Sequence, residues 1–118
     1  MKCTPREPES LLPLTPAVFS ILLALADGER HGYGIMQEIV RSTTGKVRMG
    51  PGTLYGSIKR MIEDRLIEEA DVPPSQLTEN ERRRYYRLTD FGLRVAQAEA
   101  LRLLSLVQIA RAKQILPG

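Results

Sequence analysis

The order of elements in this sequence predicts a mainly α fold with a small β-hairpin wing: a winged helix-turn-helix followed by one long C-terminal helix. Three observations predict it. Apolar residues recur at helical spacing in three short segments between residues 15 and 64. Two segments of shorter period, 66–72 and 83–88, flank a loop that contains Pro73, Pro74 and Asn80. From Thr89 the helical period resumes and runs on to about Leu116.

The first helix is punctuated at both ends. Thr15 is its cap, Pro16 suits the first helical position and Gly28 ends it. Val18, Ile21, Leu22 and Leu25 form its inward stripe, and Leu14 and Phe19 are spaced as a hydrophobic staple. A second helix spans about His31 or Gly32 to Ser42, burying Ile35, Met36 and Ile39, with His31 at its start and Gly45 at its exit. A third runs from about Pro51 to Asp64 on Leu54, Ile58, Met61 and Ile62. In the second strand Arg84, Tyr86 and Leu88 share one face, while Arg83, Tyr85 and Arg87 share the other. Tyr86 belongs to the core and Tyr85 packs at the surface. Thr89 caps the last helix, with Leu88 and Leu93 as a second staple. The expected organisation is a flexible arm at 1–13, a winged domain at 14–88 and a dimerisation helix at 89–118.

Composition narrows the chemistry. A chain of 118 residues with 42% hydrophobic and 26% charged side chains suits one domain with one core. One cysteine (Cys3) and one histidine (His31) build neither a disulfide framework nor a structural zinc site, which needs about four ligands. The chain therefore reads as cytoplasmic and without cofactor. Pro13 and Pro16 interrupt the longest apolar stretch, so no membrane span is expected, and the first ten residues lack a signal peptide's apolar centre. There is no Ser/His/Asp or Cys/His set and no phosphate-cradling glycine loop after a strand, so an enzyme is not expected.

The net charge is only +3, but it is segregated. Residues 41–62 hold Arg41, Lys46, Arg48, Lys59 and Arg60 and no acid. Residues 63–81 are acidic apart from Arg65, and Arg82, Arg83, Arg84 and Arg87 then cluster. Two basic patches suit a polyanion touched at two places; the alternative is a solvated surface of ion pairs.

The third helix carries the sharper signal. Opposite its apolar stripe lie Gly52, Thr53, Gly56, Lys59 and Arg60, with Ser57 at the border. A mid-helix glycine costs about 1 kcal/mol relative to alanine, so Gly56 needs a reason. Close approach to a DNA groove is one; packing against a neighbouring helix is the other. Thr53 and Ser57 can bond bases or phosphates, and Lys59 and Arg60 can reach flanking phosphates. Tyr55 sits beside the stripe and suits core or DNA equally. The wing arginines suit phosphates, or else ion pairs with Glu68, Glu69 or Asp71.

The long helix argues for a second copy. Leu93, Ala96, Ala100, Leu103, Val107 and Ala110 make one seam, and Leu101, Leu104, Leu106, Ile109, Ile115 and Leu116 add apolar area elsewhere. One small domain needs one buried face, so the surplus implies a homodimer, or otherwise an extended internal core.

Three segments carry a family resemblance: HGYGIMQEI (31–39), GPGTLYGSIKRMIEDRLIE (50–68) and RRRYYRLTDFG (82–92). They resemble the PadR family of bacterial transcriptional regulators over about residues 14 to 92, and the last helix fits its short-tailed branch. The resemblance implies a dimeric repressor whose recognition helices enter successive major grooves of an imperfect palindrome. It places Tyr33 near the DNA backbone, Thr53, Tyr55, Ser57 and Lys59 on or beside the recognition helix, and Arg82, Arg83 and Arg84 on the wing. The last helix, with Leu104 among its apolar positions, is then the main dimerisation element. Control by a small hydrophobic effector, often aromatic, is also implied, though no residue pattern identifies one. Two positions depart from the family pattern: Arg65 stands where Gly usually precedes Leu-Ile, and Gly56 where Pro often follows Tyr. A left-handed cap at Arg65 would be strained, which predicts an altered helix exit. The competing reading is a winged-helix module that docks on another protein and does not bind DNA.

Overall fold

The computed structural model describes residues 7–70 and 84–117. The first helix, α1 (Pro16–Leu25), begins where Thr15 Oγ1 accepts a hydrogen bond from the Val18 N–H at 3.2 Å. Pro16 fills the first helical position, whose N–H has no helical partner in any case. The chain turns at Gly28 into β1 (Arg30–His31) and then α2 (Gly32–Ser42), where His31 Nδ1 accepts from the Gly34 N–H at 2.9 Å. α3 (Pro51–Glu63), β2 (Ile67–Ala70), β3 (Tyr85–Leu88) and α4 (Asp90–Ala112) follow.

The expected hairpin is the antiparallel β2–β3 pair, in register from Ile67 opposite Leu88 to Ala70 opposite Tyr85. The sheet has a third strand that the sequence does not announce. β1 adds to the free edge of β3, with Arg30 opposite Tyr86 and His31 opposite Tyr85. Two residues show no alternation of their own; the edge of β3 makes them a strand.

The core gathers Ile21, Leu22 and Leu25 of α1, Ile35 and Ile39 of α2, Leu54, Ile58 and Met61 of α3, Tyr86 of β3 and Val95 of α4. Tyr86 is buried and Tyr85 half-buried, as their alternation predicts. Ile62 was expected in the α3 stripe and is instead exposed. At 100° per residue it falls at the edge of the face that Leu54, Ile58 and Met61 define, where it stays 37% exposed.

Three ends differ from expectation. Residues 7–13, placed in a flexible arm, include a 3-10 helix at Pro8–Leu11 that packs on α4, and Leu11 and Leu12 join the core. The buried carboxylate of Glu99 ties the end of this segment down by accepting from the Leu14 N–H at 3.2 Å. α4 stops at Ala112 rather than near Leu116. Gln114 takes a left-handed φ of 63°, and the Ile115 N–H bonds back to the Ala110 carbonyl at 2.9 Å, a Schellman closure built without glycine. Finally, Leu93 is exposed, so the staple expected with Leu88 is not a buried one.

The exit of α3 also corrects the expectation. Arg65 takes φ 62°, the left-handed cap itself, while Leu66 and Arg65 N–H groups bond the Met61 and Ile62 carbonyls at 2.9 and 3.0 Å. The conformation is held from outside the helix. Thr89 Oγ1 donates to the Arg65 carbonyl at 2.6 Å, the Thr89 N–H donates to the Leu66 carbonyl at 3.1 Å, and Thr89 Oγ1 also accepts from the Gly92 N–H at 2.9 Å. These bonds fasten the start of α4 onto the corner between α3 and β2.

Candidate nucleic-acid interface

α3 is anchored by one face and bare on the other. Leu54, Ile58 and Met61 are buried, whereas Gly52, Thr53, Gly56, Lys59 and Arg60 are exposed and Ser57 is half-buried. A Cβ built on Gly52 or Gly56 would meet nothing within 4 Å. Among the described residues, Gly56 does not pack against a neighbouring helix. The glycine keeps an already open helix surface low, and no internal contact asks for it.

Tyr55 serves the fold while staying half exposed, at 49%. Its ring lies across the start of α2: a Cβ on Gly32 would run into the Tyr55 hydroxyl and come within 2.7 Å of Cζ. Gly32 is a residue the sequence reading missed. Its only signal is a glycine at the first position of a helix, and its partner lies 23 positions away. Tyr33, 51% exposed, stands beside it on α2 with its ring stacked on His31 at 6.5 Å between centroids. His31 in turn meets Tyr85 edge-on at 5.3 Å. The start of α2 is thus tied by aromatic contact to the base of the wing.

The cations divide into two sets. Among the described residues, Lys59 and Arg60 form no ion pair, and the nearby Arg41 is held by Glu38 at 2.6 Å. On the sheet the described arginines all have carboxylate partners. Arg84 lies 3.6 Å from Glu69, and Arg87 lies 2.8 Å from Glu68 and 3.5 Å from Glu29. The hydrogen bond that Arg87 Nε donates to the Glu68 carboxylate holds the guanidinium still more firmly in its charged form. Glu29, in the turn before β1, joins only because β1 pairs with β3, which the sequence did not reveal. Arg82 and Arg83 lie outside the described residues.

The expected dimer positions are also distributed unevenly. Ala96 is packed inside the protomer's own core, whereas Leu93, Ala100 and Leu104 are exposed and Leu103, Val107 and Ala110 half-buried. Leu101, Leu106, Ile109 and Ile115 are exposed as well, so the distal half of α4 presents apolar area on several sides. No helix among the described residues is long and apolar enough to cross a membrane.

Comparison with known proteins agrees with this arrangement. Residues 21–98 match the Transcriptional regulator PadR-like family. An uncharacterised 37.1 kDa transposon protein of Streptomyces fradiae is 36% identical over 80 residues, covering 68% of this chain and 21% of that protein. An uncharacterised protein of Lysinibacillus sphaericus is 31% identical over 72 residues, covering 61% of this chain and 63% of its own length. The chain therefore spans about a fifth of the first relative and under two thirds of the second. Among solved structures, a PadR family transcription regulator from Clostridium difficile superposes with a TM-score of 0.71 at 22% identity, over 85% of this chain and 99% of that one. A transcriptional regulator from Clostridium thermocellum gives 0.68 at 22% identity, over 81% and 87%. At that identity the structures speak for the fold, and the family match covers most of the chain: this protein belongs to the PadR-like family of transcriptional regulators.

Proposed function

We propose that the protein is a homodimeric DNA-binding repressor that presents α3 to the major groove of a palindromic operator. The observation that carries this reading is the outer face of α3, where open glycines, hydroxyls and cations without carboxylate partners among the described residues share one surface. Gly52 and Gly56 let the helix backbone approach the groove floor. Thr53 and Ser57 read base edges or bond phosphates, while Lys59 and Arg60 neutralise phosphates at the groove wall. Tyr33 and Tyr55 flank this face and meet the DNA backbone. Arg82, Arg83 and Arg84 contact phosphates from the wing, with Arg84 exchanging Glu69 for phosphate. Two copies join through the distal half of α4 by Ala100, Leu103, Leu104, Val107 and Ala110, with Leu93 at the edge.

Selection of bound duplexes from random DNA tests binding, symmetry and half-site spacing together. The expected product is an inverted repeat whose affinity falls steeply as salt rises. No enrichment, or binding indifferent to salt, would overturn the proposal. The bare apolar surface of distal α4 favours a second reading, a winged-helix module that docks on another protein. That reading requires a monomer by light scattering and no affinity for duplex DNA.

A further inference from the structure

The acid-free stretch contains a cation that the recognition face leaves unused. Arg48 lies in the connection between α2 and α3 and is exposed, with no ion pair among the described residues. The connection is fixed to α2: Thr43 Oγ1 donates to the Ile39 carbonyl at 2.7 Å and accepts from the Val47 N–H at 3.1 Å. Arg48 and Thr53 line one surface depression of about 240 Å³, together with Ser20 of α1 and Gly50. A guanidinium without an ion pair among the described residues is therefore carried beside the first turn of α3, on the side where Thr53 is exposed.

Spacing gives this position a meaning. From Pro51 to Lys59 the helix rises about 12 Å, at 1.5 Å per residue. The major groove of B-DNA is also about 12 Å wide between its phosphate walls. With Arg48 before the helix and Lys59 and Arg60 near its end, cations stand at both limits of the glycine and hydroxyl face. We propose that Arg48 is a phosphate-binding residue that brackets α3 in the groove opposite Lys59 and Arg60, fixing how far the helix enters and where Thr53 falls along it. The inference rests on the DNA-binding reading and deepens it: it predicts contact with the DNA backbone, independent of sequence.

The test is fluorescence anisotropy of Arg48→Ala and Arg48→Lys on a selected duplex and on a scrambled one, across a salt series, with melting followed in parallel. Arg48→Ala should weaken binding to both duplexes by a common factor of about tenfold. The slope of log affinity against log salt should fall by about 0.9 for each bound chain. The melting temperature should not move, and Arg48→Lys should recover most of the affinity. Unchanged affinity and slope with wild-type binding intact overturns the bracket while leaving the DNA-binding reading standing. A loss confined to the selected duplex makes Arg48 a base reader and overturns the phosphate assignment. A loss that follows a lowered melting temperature makes it structural and also overturns the proposal. If the wild-type chain binds neither duplex, the underlying reading fails and the inference with it.

Discussion

Gly56 of α3 and Gly92 of α4 both lie inside the first two turns of their helices, and they have opposite surroundings. At Gly92 of α4 a Cβ would overlap the carbonyl oxygen of Leu66, and its carbon would lie 2.8 Å away. At Gly56 of α3 the same atom would meet open space. Around Gly92, Thr89 bonds the Arg65 and Leu66 carbonyls and accepts from the Gly92 N–H. Around Gly56 the hydroxyls of Thr53 and Ser57 and the cations of Lys59 and Arg60 have no bonded partner among the described residues. The first glycine is explained by the fold, so the second needs an explanation outside the protomer. This contrast separates residues that build the winged domain from residues that use it.

The largest expected effect comes from breaking the closed side. Gly92→Ala must push α4 off the Leu66 carbonyl and open the Thr89 clasp, with little flexible side chain to absorb the shift. Overpacking against backbone puts the loss at about 3 kcal/mol. Urea unfolding followed by circular dichroism should show it as a lowered midpoint, and a midpoint within error of wild type would mean that the corner is not rigid.

A second test on the same side concerns Glu99. Its buried carboxylate accepts from Arg102 at 2.6 and 3.0 Å and from the Leu14 N–H. The Arg102 hydrogen bonds hold its pKa below the ordinary carboxylate value; burial opposes this and the Leu14 N–H assists. A depressed folded pKa contributes stability that is complete above the unfolded value near 4.5 and is lost as pH falls through the folded one. Glu99→Gln should therefore cost about 1–2 kcal/mol at neutral pH, through the lost charge-assisted bonds. The gap between variant and wild type should close as pH falls below about 4.5. Equilibrium unfolding at several pH values measures it; a gap constant down to acid pH would show that Glu99 contributes only by packing.

On the open side the sign reverses. Gly56→Ala removes a helix-interior glycine from a site with room for the methyl group, so the chain should gain about 1 kcal/mol. The same methyl group stands on the surface proposed to enter the groove, so affinity for a selected duplex should fall. Opposite changes in unfolding midpoint and duplex anisotropy are the expected pair. A variant that is more stable and binds as well as wild type would remove Gly56 from the interface.

How much of this contrast was legible in the sequence follows from how local each signal is. Thr15, Pro16 and Thr89 mark helix starts because a cap bonds a backbone group three residues away, within reach of any reading by spacing. The outer face of α3 was legible for the same reason, since helical geometry alone sorts Leu54, Ile58 and Met61 from Thr53, Gly56 and Lys59. What escaped depends on partners far along the chain. Glu99 looks like a solvent-facing charge until Leu14, 85 positions away, comes to it. Gly32 is ordinary until Tyr55 lies over it. β1 exists only against β3, and Glu29 gains Arg87 only through that pairing. The ion pairs of Arg84 and Arg87 were foreseen as one of two alternatives, because antiparallel register places the hairpin's acids opposite its arginines.

Arg65 is where the closed and open sides join, and it gives the finest test of the contrast. It ends α3 in the left-handed region, where a residue with a Cβ is about 1–2 kcal/mol worse than in the right-handed one. Local preference therefore opposes the exit, yet the exit forms, because the Arg65 and Leu66 carbonyls are already bonded to Thr89. If those bonds hold the corner, the strain is local and removable. Arg65→Gly keeps the carbonyl and its bond, relieves the Cβ conflict and gives back part of the gain in unfolded-chain entropy. The net expectation is a stabilisation of about 0.5–1 kcal/mol by urea unfolding, with duplex affinity unchanged because Arg65 lies beyond the end of α3 and outside the proposed face. A destabilised Arg65→Gly would mean that the arginine side chain itself supports the corner. A change in duplex affinity would mean that the corner sets the pose of α3, and that the two sides are not separable after all.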